Sequence, residues 1–341
     1  MKLPVFNLKG KFRKDRISVG MDIGTSAIKT VKLKFSKDSF ELCSFNLEPA
    51  QIDLGPVLKK IGSSCDTKRI NLSISGPSTI IRYVDFPQMN AGELKQALRF
   101  EAEKYIPFSI PDVNLDSHIL KPDLPNNKML ILLAAVKKES LNQRLKLIED
   151  ASLQANLIDL DSLALINAFN FNYAGDDNIK AKTIALLNIG AHLSNLNILE
   201  NAIPRLSRDI QIAGNNFTQK LQDTLSIDFK SAEELKLHPD KERLDKITVA
   251  LESALSGLAR EVRASFDYYE SQSTANVAKI FLSGGGSLFA GLKDMLVNLL
   301  GMEVEYWDPL KKISIPESID SQKVKALSAQ LAVAVGLALR E

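Results

Sequence analysis

The sequence predicts an α/β protein made of two duplicated lobes, one of which carries a small inserted α+β subdomain. Three observations predict this. The stretch "GMDIGTSAIKTVKL" (residues 20–33) has a near-copy in "LLNIGAHLSNLNIL" (residues 186–199), each an apolar strand, a polar residue, Ile-Gly, a small turn and a second strand. The order of elements around each copy also repeats, and a repeat of this length signals paired domains. Finally, an α+β pattern interrupts the first copy only.

The elements follow in order. Apolar, β-branched runs at "ISVGMDI", "AIKTVKLKF" and "SFELCSF" read as three antiparallel strands. "QIDLGPVLKKIGSS" reads as a helix and "RINLSIS" as a further strand. The second copy repeats the series with strands "KTIALLNI", "LSNLNILE" and "AIPRLSRDI", helix "GNNFTQKLQDTLS" and strand "VAKIFLSG". The inserted subdomain, residues 77–137, holds strand "STIIRYVDFP", then a helix opened by an Asn90-x-x-Glu93 capping box and running to Tyr105, then strands "VNLDSHIL" and "MLILLAAV". In the second copy the insertion is helical, about residues 230–275, with apolar residues at three- and four-residue intervals. The expected organisation is a basic leader (1–16), a first lobe (17–76 and 138–178) around the insertion, and a second lobe (179–341). A C-terminal helix, about 321–341, returns toward the first lobe.

Composition narrows the function. With 341 residues, 45% hydrophobic and 25% charged, the chain reads as an ordinary globular protein rather than a disordered one. A net charge of +2 gives no global drive toward nucleic acid. The leader is locally basic, with Lys2, Lys9, Lys11, Arg13, Lys14 and Arg16 against Asp15, and reads either as a solvated tail or as a contact for an acidic membrane or partner. No run reaches the roughly 18 apolar residues of a membrane span. Cys43 and Cys65, with His118, His192 and His238, form neither a disulfide framework nor a metal-ligand spacing, which fits a cytoplasmic setting.

The duplicated turns carry the chemistry. A strand, a glycine turn and a returning strand direct backbone N–H groups where phosphate oxygens can be held, with Gly24 and Gly190 permitting close approach. Asp22 before the first turn can reach a magnesium ion on those phosphates through water. Asn188, before the second, can hydrogen-bond but brings no charge to the ion. Gly284, Gly285, Gly286 and Ser287 follow a strand and open the helix "LFAGLKDMLVNLL", a placement that suits a purine or ribose. Glu233 and Lys236 share a helical face and suit ribose hydroxyls and base, or form a surface ion pair. Gly214 sits between strand and helix, where its backbone amide can meet a nucleotide.

In this order the motifs resemble the actin-like ATPase superfamily. The stretches "FPQMNAGELKQALRFEAEKYIPFSIPDVNLDSHIL", "AAVKKESLNQRLKLIEDASLQANLIDLDSLALINAF" and "AVGLALRE" are similar to the PilM family of type IV pilus assembly, over about residues 17–341. That resemblance implies an actin-like fold with a subdomain inserted as in FtsA, ATP with Mg²⁺ bound between the lobes, and capture of the cytoplasmic N-terminal peptide of a PilN-like bitopic inner-membrane protein. It also implies contacts to other platform proteins, possible self-association, and a cytoplasmic place peripheral to the inner membrane. Asp22, Gly24, Thr25 and Ser26 match its first phosphate motif, with Lys29 on the returning strand added to that group. Gly190 and Ser194 match the second, Gly214 the nucleotide-facing glycine, Glu233 and Lys236 the adenosine pair, and Gly284–Gly286 with Ser287 the adenosine loop. Helix 90–105 and the "IPF" turn (106–108) are expected to shape the peptide groove.

Two departures stand out. The second motif usually reads Asp-Ile-Gly, so Asn188 removes a carboxylate linked to the metal, and the paired glycines of the ribose motif become Ala213-Gly214. Nucleotide binding is therefore expected with weak or absent hydrolysis, which needs charge on metal and water. Asp161 is the one candidate for orienting that water, or else a helix N-cap. Two alternatives remain. A small-molecule kinase of the same superfamily would need an aspartate base at a matching turn. An FtsA-like division scaffold would add a membrane-binding helix after the last domain.

Overall fold

The structure is a computed structural model that describes residues 16–36, 39–50, 53–65, 67–173 and 175–340; the basic leader, apart from Arg16, lies outside them. The chain forms two compact units. Unit 1 is Met1–Ala168, Lys312–Ile319 and Val333–Glu341, and unit 2 is Phe169–Lys311 with Asp320–Ala332.

In unit 1 the three opening strands are β1 (Arg16–Ile23), β2 (Ala27–Ser36) and β3 (Ser39–Pro49), followed by α1 (Gly55–Ser64) and β4 (Arg69–Ile74). The inserted segment is β5 (Thr79–Pro87), α2 (Ala91–Glu101), β6 (Val113–Leu124) and β7 (Lys128–Lys137), after which come α3 (Lys138–Asp150), β8 (Gln154–Leu160) and α4 (Asp161–Tyr173), whose residues from Phe169 onward are counted with unit 2. The main sheet has the order β3-β2-β1-β4-β8, and the insertion makes its own sheet, β5-β7-β6. β7, "KMLILLAAVK", is buried from Met129 to Val136 because it is the central strand of that small sheet, covered on both faces. One core gathers Val19, Met21, Leu58, Leu72 and Ile148 beneath the main sheet. A separate one gathers Phe86, Leu94, Leu98 and Ile131 in the insertion.

Unit 2 repeats the plan. After α5 (Asp177–Lys180) come β9 (Thr183–Ile189), β10 (Ser194–Glu200) and β11 (Ile203–Ile210). Then follow α6 (Gly214–Leu225), α7 (Phe229–Leu237), α8 (Leu244–Glu270), β12 (Lys279–Ser283), α9 (Leu292–Leu300) and β13 (Glu303–Tyr306). The sheet order, β11-β10-β9-β12-β13, reproduces that of unit 1 strand for strand. The two halves are thus duplicates in topology as well as in motif. α8 buries Leu251, Leu255, Leu258, Val262 and Phe266 at helical spacing into the same core as Phe217 of α6 and Ile280 of β12.

Several boundaries differ from the sequence expectation. The helix expected to reach Tyr105 ends as α-helix at Glu101 and tightens into a 3₁₀ turn over Ala102–Lys104; its capping box at Asn90 and Glu93 is present. The C-terminal helix is three pieces: α10 (Ser321–Leu327), a 3₁₀ turn (Ser328–Leu331) and α11 (Ala332–Ala338). The short strands β8 and β13, hidden in the sequence by neighbouring helical patterns, complete the two sheets as parallel edge strands. No helix among the described residues is long and apolar enough to cross a membrane.

Two glycines seat α11 in unit 1. A Cβ on Gly20 of β1 would stand 2.1 Å from the Ala334 carbonyl oxygen, and one on Gly336 would stand 1.9 Å from that of Ala164. At both glycines backbone therefore lies directly on backbone, with no room for a side chain. Arg340, just beyond α11, reaches buried Asp159 of β8 with Nη2 3.1 Å from Oδ2, the two side chains 7% and 0% exposed.

Candidate functional site: the paired glycine turns and their neighbours

The two glycine turns close in the same way. Gly24 N–H donates to the Ala27 carbonyl at 3.1 Å, and Gly190 N–H donates to that of Leu193 at 3.0 Å. The glycine amides are thus engaged inside the turns, and the exposed residues Thr25 and Ser26 in unit 1, and His192 in unit 2, mark where other backbone amides can meet an anion.

Ahead of the turns the units diverge. In unit 1, Asp22 Oδ2 accepts from Lys29 Nζ at 2.8 Å across the β1–β2 pair, both side chains largely buried. Asp22 Oδ1 lies on the turn side, 3.9 Å from where a Cβ of Gly24 would stand. Arg144 of α3 faces both Asp161 and Asp22; burial lowers its pKa, and the two carboxylates oppose that shift. Asp161 is the first residue of α4, inside its first turn rather than at an N-cap.

In unit 2 the position matching Asp22 is Asn188, 8% exposed. Its Nδ2 donates to Asn195 Oδ1 at 3.2 Å, and its Oδ1 accepts from Ser283 Oγ at 3.1 Å. Ser194 is fully buried, and its hydroxyl donates to the Ile212 carbonyl at 2.7 Å, tying β10 to the approach of α6.

The remaining motifs of unit 2 converge on the second turn. Gly214 N–H donates to the Gly190 carbonyl at 3.0 Å, and Asn215 N–H to that of Ala191 at 2.7 Å, so the N-terminus of α6 sits on the turn. Gly284 has φ +91°, and a Cβ there would stand 2.2 Å from the Ile189 carbonyl oxygen; at Gly286 it would stand 2.4 Å from that of Gly190. These positions exclude side chains because three backbone segments touch. The glycine run does not open α9 directly, as its sequence suggests. It forms one 3₁₀ turn, Gly285–Ser287, in which Ser287 Oγ donates to the Gly284 carbonyl at 2.7 Å, and α9 starts only after Gly291 in a left-handed conformation.

Glu233 and Lys236 are not a surface pair. Lys236 is 4% exposed, and its ammonium donates to Glu233 Oε2 at 2.6 Å, Thr218 Oγ1 at 2.8 Å and the Gly214 carbonyl at 3.3 Å. Burial pushes its pKa down, with Glu233 opposing the shift. Those three acceptors occupy all three ammonium donors. Lys236 therefore pins α7 to the first turn of α6, and Glu233, 40% exposed and also accepting from Thr218, is the member open to a ligand. Thr218 was missed in the sequence; its signal is the i+4 spacing from Gly214, which places it on the face of α6 that meets α7.

The residues expected to shape the peptide groove differ in exposure. Ile106 of the "IPF" turn is buried in the core of the insertion with Ala102, Val113 and Ala135, while Phe100 of α2 is 80% exposed. Unit 1 also holds a cavity of about 150 Å³ lined by Arg16, Ser18, Arg69, Asn71, Asn156 and Arg340. Asn71 anchors it, its Nδ2 donating to the carbonyls of Leu337 at 2.9 Å and Arg340 at 3.0 Å, and its Oδ1 accepting from Asn156 at 2.9 Å.

The chain is similar to a solved "PilM-PilN type IV pilus biogenesis complex", with 25% identity over 95% of this chain and 98% of that one and a TM-score of 0.83. It also resembles in fold the ethanolamine utilization protein EutJ of Carboxydothermus hydrogenoformans (14% identity, 97% and 91% covered, TM-score 0.56). A third is MreB5 of Spiroplasma citri, solved with AMPPNP (12% identity, 94% of each chain, TM-score 0.50). The fold is that of the actin-like ATPases. The profile of the type IV pilus assembly protein PilM family matches residues 20–341. With the duplicated five-stranded sheets, the inserted three-stranded subdomain and this match along nearly the whole chain, the protein belongs to the PilM family of type IV pilus assembly proteins.

Proposed function

We propose that the protein is a cytoplasmic, nucleotide-binding scaffold of the type IV pilus platform, peripheral to the inner membrane. It binds ATP and the cytoplasmic N-terminal peptide of a PilN-like membrane protein. The observation that carries the nucleotide half is the meeting of Gly190, Gly214 and Gly286 at backbone contact, with Lys236 holding Glu233 beside them. Gly190 and Gly214 engage their own amides within the protein, so these closely packed glycine segments offer side-chain-free backbone against which a nucleotide's sugar and phosphates can lie. The proposed nucleotide residues of unit 2 are Gly190, Gly214, Glu233 and Gly284–Ser287; in unit 1, taken by itself, Asp22, Thr25, Ser26 and Lys29 are proposed as a phosphate-contacting turn. Magnesium bound with ATP would neutralise phosphate charge, and Asp22, with Oδ1 on the turn side, is the residue to hold it through water.

The partner half is supported by the likeness to a PilM-PilN complex. The arginine- and asparagine-lined cavity of unit 1 adds a place where donors can meet peptide carbonyls or a carboxylate. Titration calorimetry with ATP, and fluorescence titration with the labelled N-terminal peptide of the cognate membrane protein, test the two halves separately. An ATP titration that shows no saturable binding refutes the first, and a peptide affinity untouched by Arg69→Ala refutes this cavity as the place of the second.

A further inference from the structure

Four side chains lie on one line across the unit 2 sheet, one from each of four adjacent strands: Asp209 (β11), Asn195 (β10), Asn188 (β9) and Ser283 (β12). The register makes each the direct neighbour of the next. Ser283 Oγ donates to Asn188 Oδ1 at 3.1 Å, Asn188 Nδ2 to Asn195 Oδ1 at 3.2 Å, and Asn195 Nδ2 to Asp209 Oδ1 at 2.7 Å. An ionised carboxylate only accepts, so Asp209 dictates the direction of the whole chain. Asn195 must turn its NH₂ to Asp209 and its oxygen to residue 188. Residue 188 must then donate, which an amide can do and a carboxylate cannot.

Resting on the nucleotide reading above, we propose that Asp209 is a positioning residue of the second phosphate turn. Acting through Asn195, it requires an uncharged donor at position 188, so the acid of this turn has been displaced two strands away and the turn meets phosphate without a metal-linked carboxylate. Unit 1 shows the contrast. The cross-strand neighbour of Asp22 is Lys29, a donor, and the residue opposite Lys29 on β3 is Leu47, so nothing there forbids the acid.

The ladder is reversible, which gives the test. In Asn188→Asp alone, Asn195 lies between two carboxylates and its oxygen must face one of them. In the double variant Asn188→Asp with Asp209→Asn, both bonds through Asn195 can re-form in the opposite direction: the introduced amide on β11 donates to Asn195, Asn195 donates to the introduced carboxylate on β9, and Ser283 donates to that carboxylate as before. Thermal unfolding of the nucleotide-free full chain should show Tm lowered by about 3 °C or more in Asn188→Asp and largely restored in the double variant. ATP titrations with Mg²⁺ and with EDTA should then show the ratio of the two affinities about tenfold larger in the double variant than in wild type. A double variant no more stable than the single one overturns the proposal, and so does a restored Tm with an unchanged Mg²⁺ ratio. Wild type that fails to bind ATP overturns the nucleotide reading instead, while the Tm series still reports whether Asp209 dictates residue 188.

Discussion

Asn188 and Asp22 occupy equivalent positions in the two sheets yet are held by opposite chemistry. Asn188 donates to Asn195 at 3.2 Å, whereas Asp22 accepts from Lys29 at 2.8 Å. On the nucleotide reading proposed above, the second turn, with a neutral donor at position 188, brings no carboxylate to order metal and water for hydrolysis. ATP turnover is therefore expected to stay well below about 1 per second, the lower end of ordinary enzyme rates. A phosphate-release assay with saturating ATP checks it, and a rate in the ordinary range would show that other groups orient the water.

On the proposed nucleotide reading, Gly286→Ala should weaken ATP binding at least about tenfold, roughly 1.4 kcal/mol, because its Cβ would overlap the Gly190 carbonyl oxygen and push the Gly285–Ser287 turn off the second glycine turn. Calorimetry on the folded variant measures this. Gly301→Ala is a suitable control, since a Cβ there meets nothing within 4 Å and carries only the strain of φ +67°.

Gly336→Ala and Gly20→Ala should each destabilise unit 1 by about 1–3 kcal/mol through overpacking, since neither backbone contact can relax by turning a side chain. Denaturant unfolding followed by tryptophan fluorescence would miss this if unit 2 unfolds separately, because Trp307 lies there. Hydrogen exchange of β1 and α11 is the direct readout.

Asp159→Ala should cost about 3–5 kcal/mol, because it leaves the Arg340 guanidinium buried without its partner. Replacing both, Asp159→Leu with Arg340→Met, should recover most of that loss. A double variant as unstable as Asp159→Ala would mean the pair contributes through something other than charge.

Burial lowers the His118 pKa, with Asp116 opposing and Arg340 reinforcing the shift. A base whose folded pKa is depressed holds fewer protons in the folded state, so it contributes stability that is present above its unfolded pKa, about 6.5, and lost as pH falls below it. Wild type should lose stability between about pH 6.5 and 5 more steeply than His118→Gln. Parallel curves for the two proteins would refute the assignment.

Much of the fold was legible because it is written in local patterns. The repeat at residues 20–33 and 186–199, the alternating and continuous apolar strands, and the capping box at Asn90 are short-range signals, and short-range preferences act wherever the chain goes. The glycine motifs were legible for the same reason, although most of those glycines answer to backbone packing within the protein. β8, β13 and the broken C-terminal helix were not, since edge strands and helix breaks are set by what packs beside them.

The sequence by itself determined the duplicated architecture, the inserted subdomain and the change from acid to amide at position 188. Only the tertiary structure decided what that change means. Asp209 lies 21 residues beyond Asn188 in the chain but is two hydrogen bonds away across the sheet. It likewise turned Lys236 from a surface cation into a buried clamp on Gly214 and set Arg340 against Asp159. The physical reason is common to all three. A polar side chain's partners are fixed by strand register and helix packing between distant segments, and burial then makes those partners obligatory.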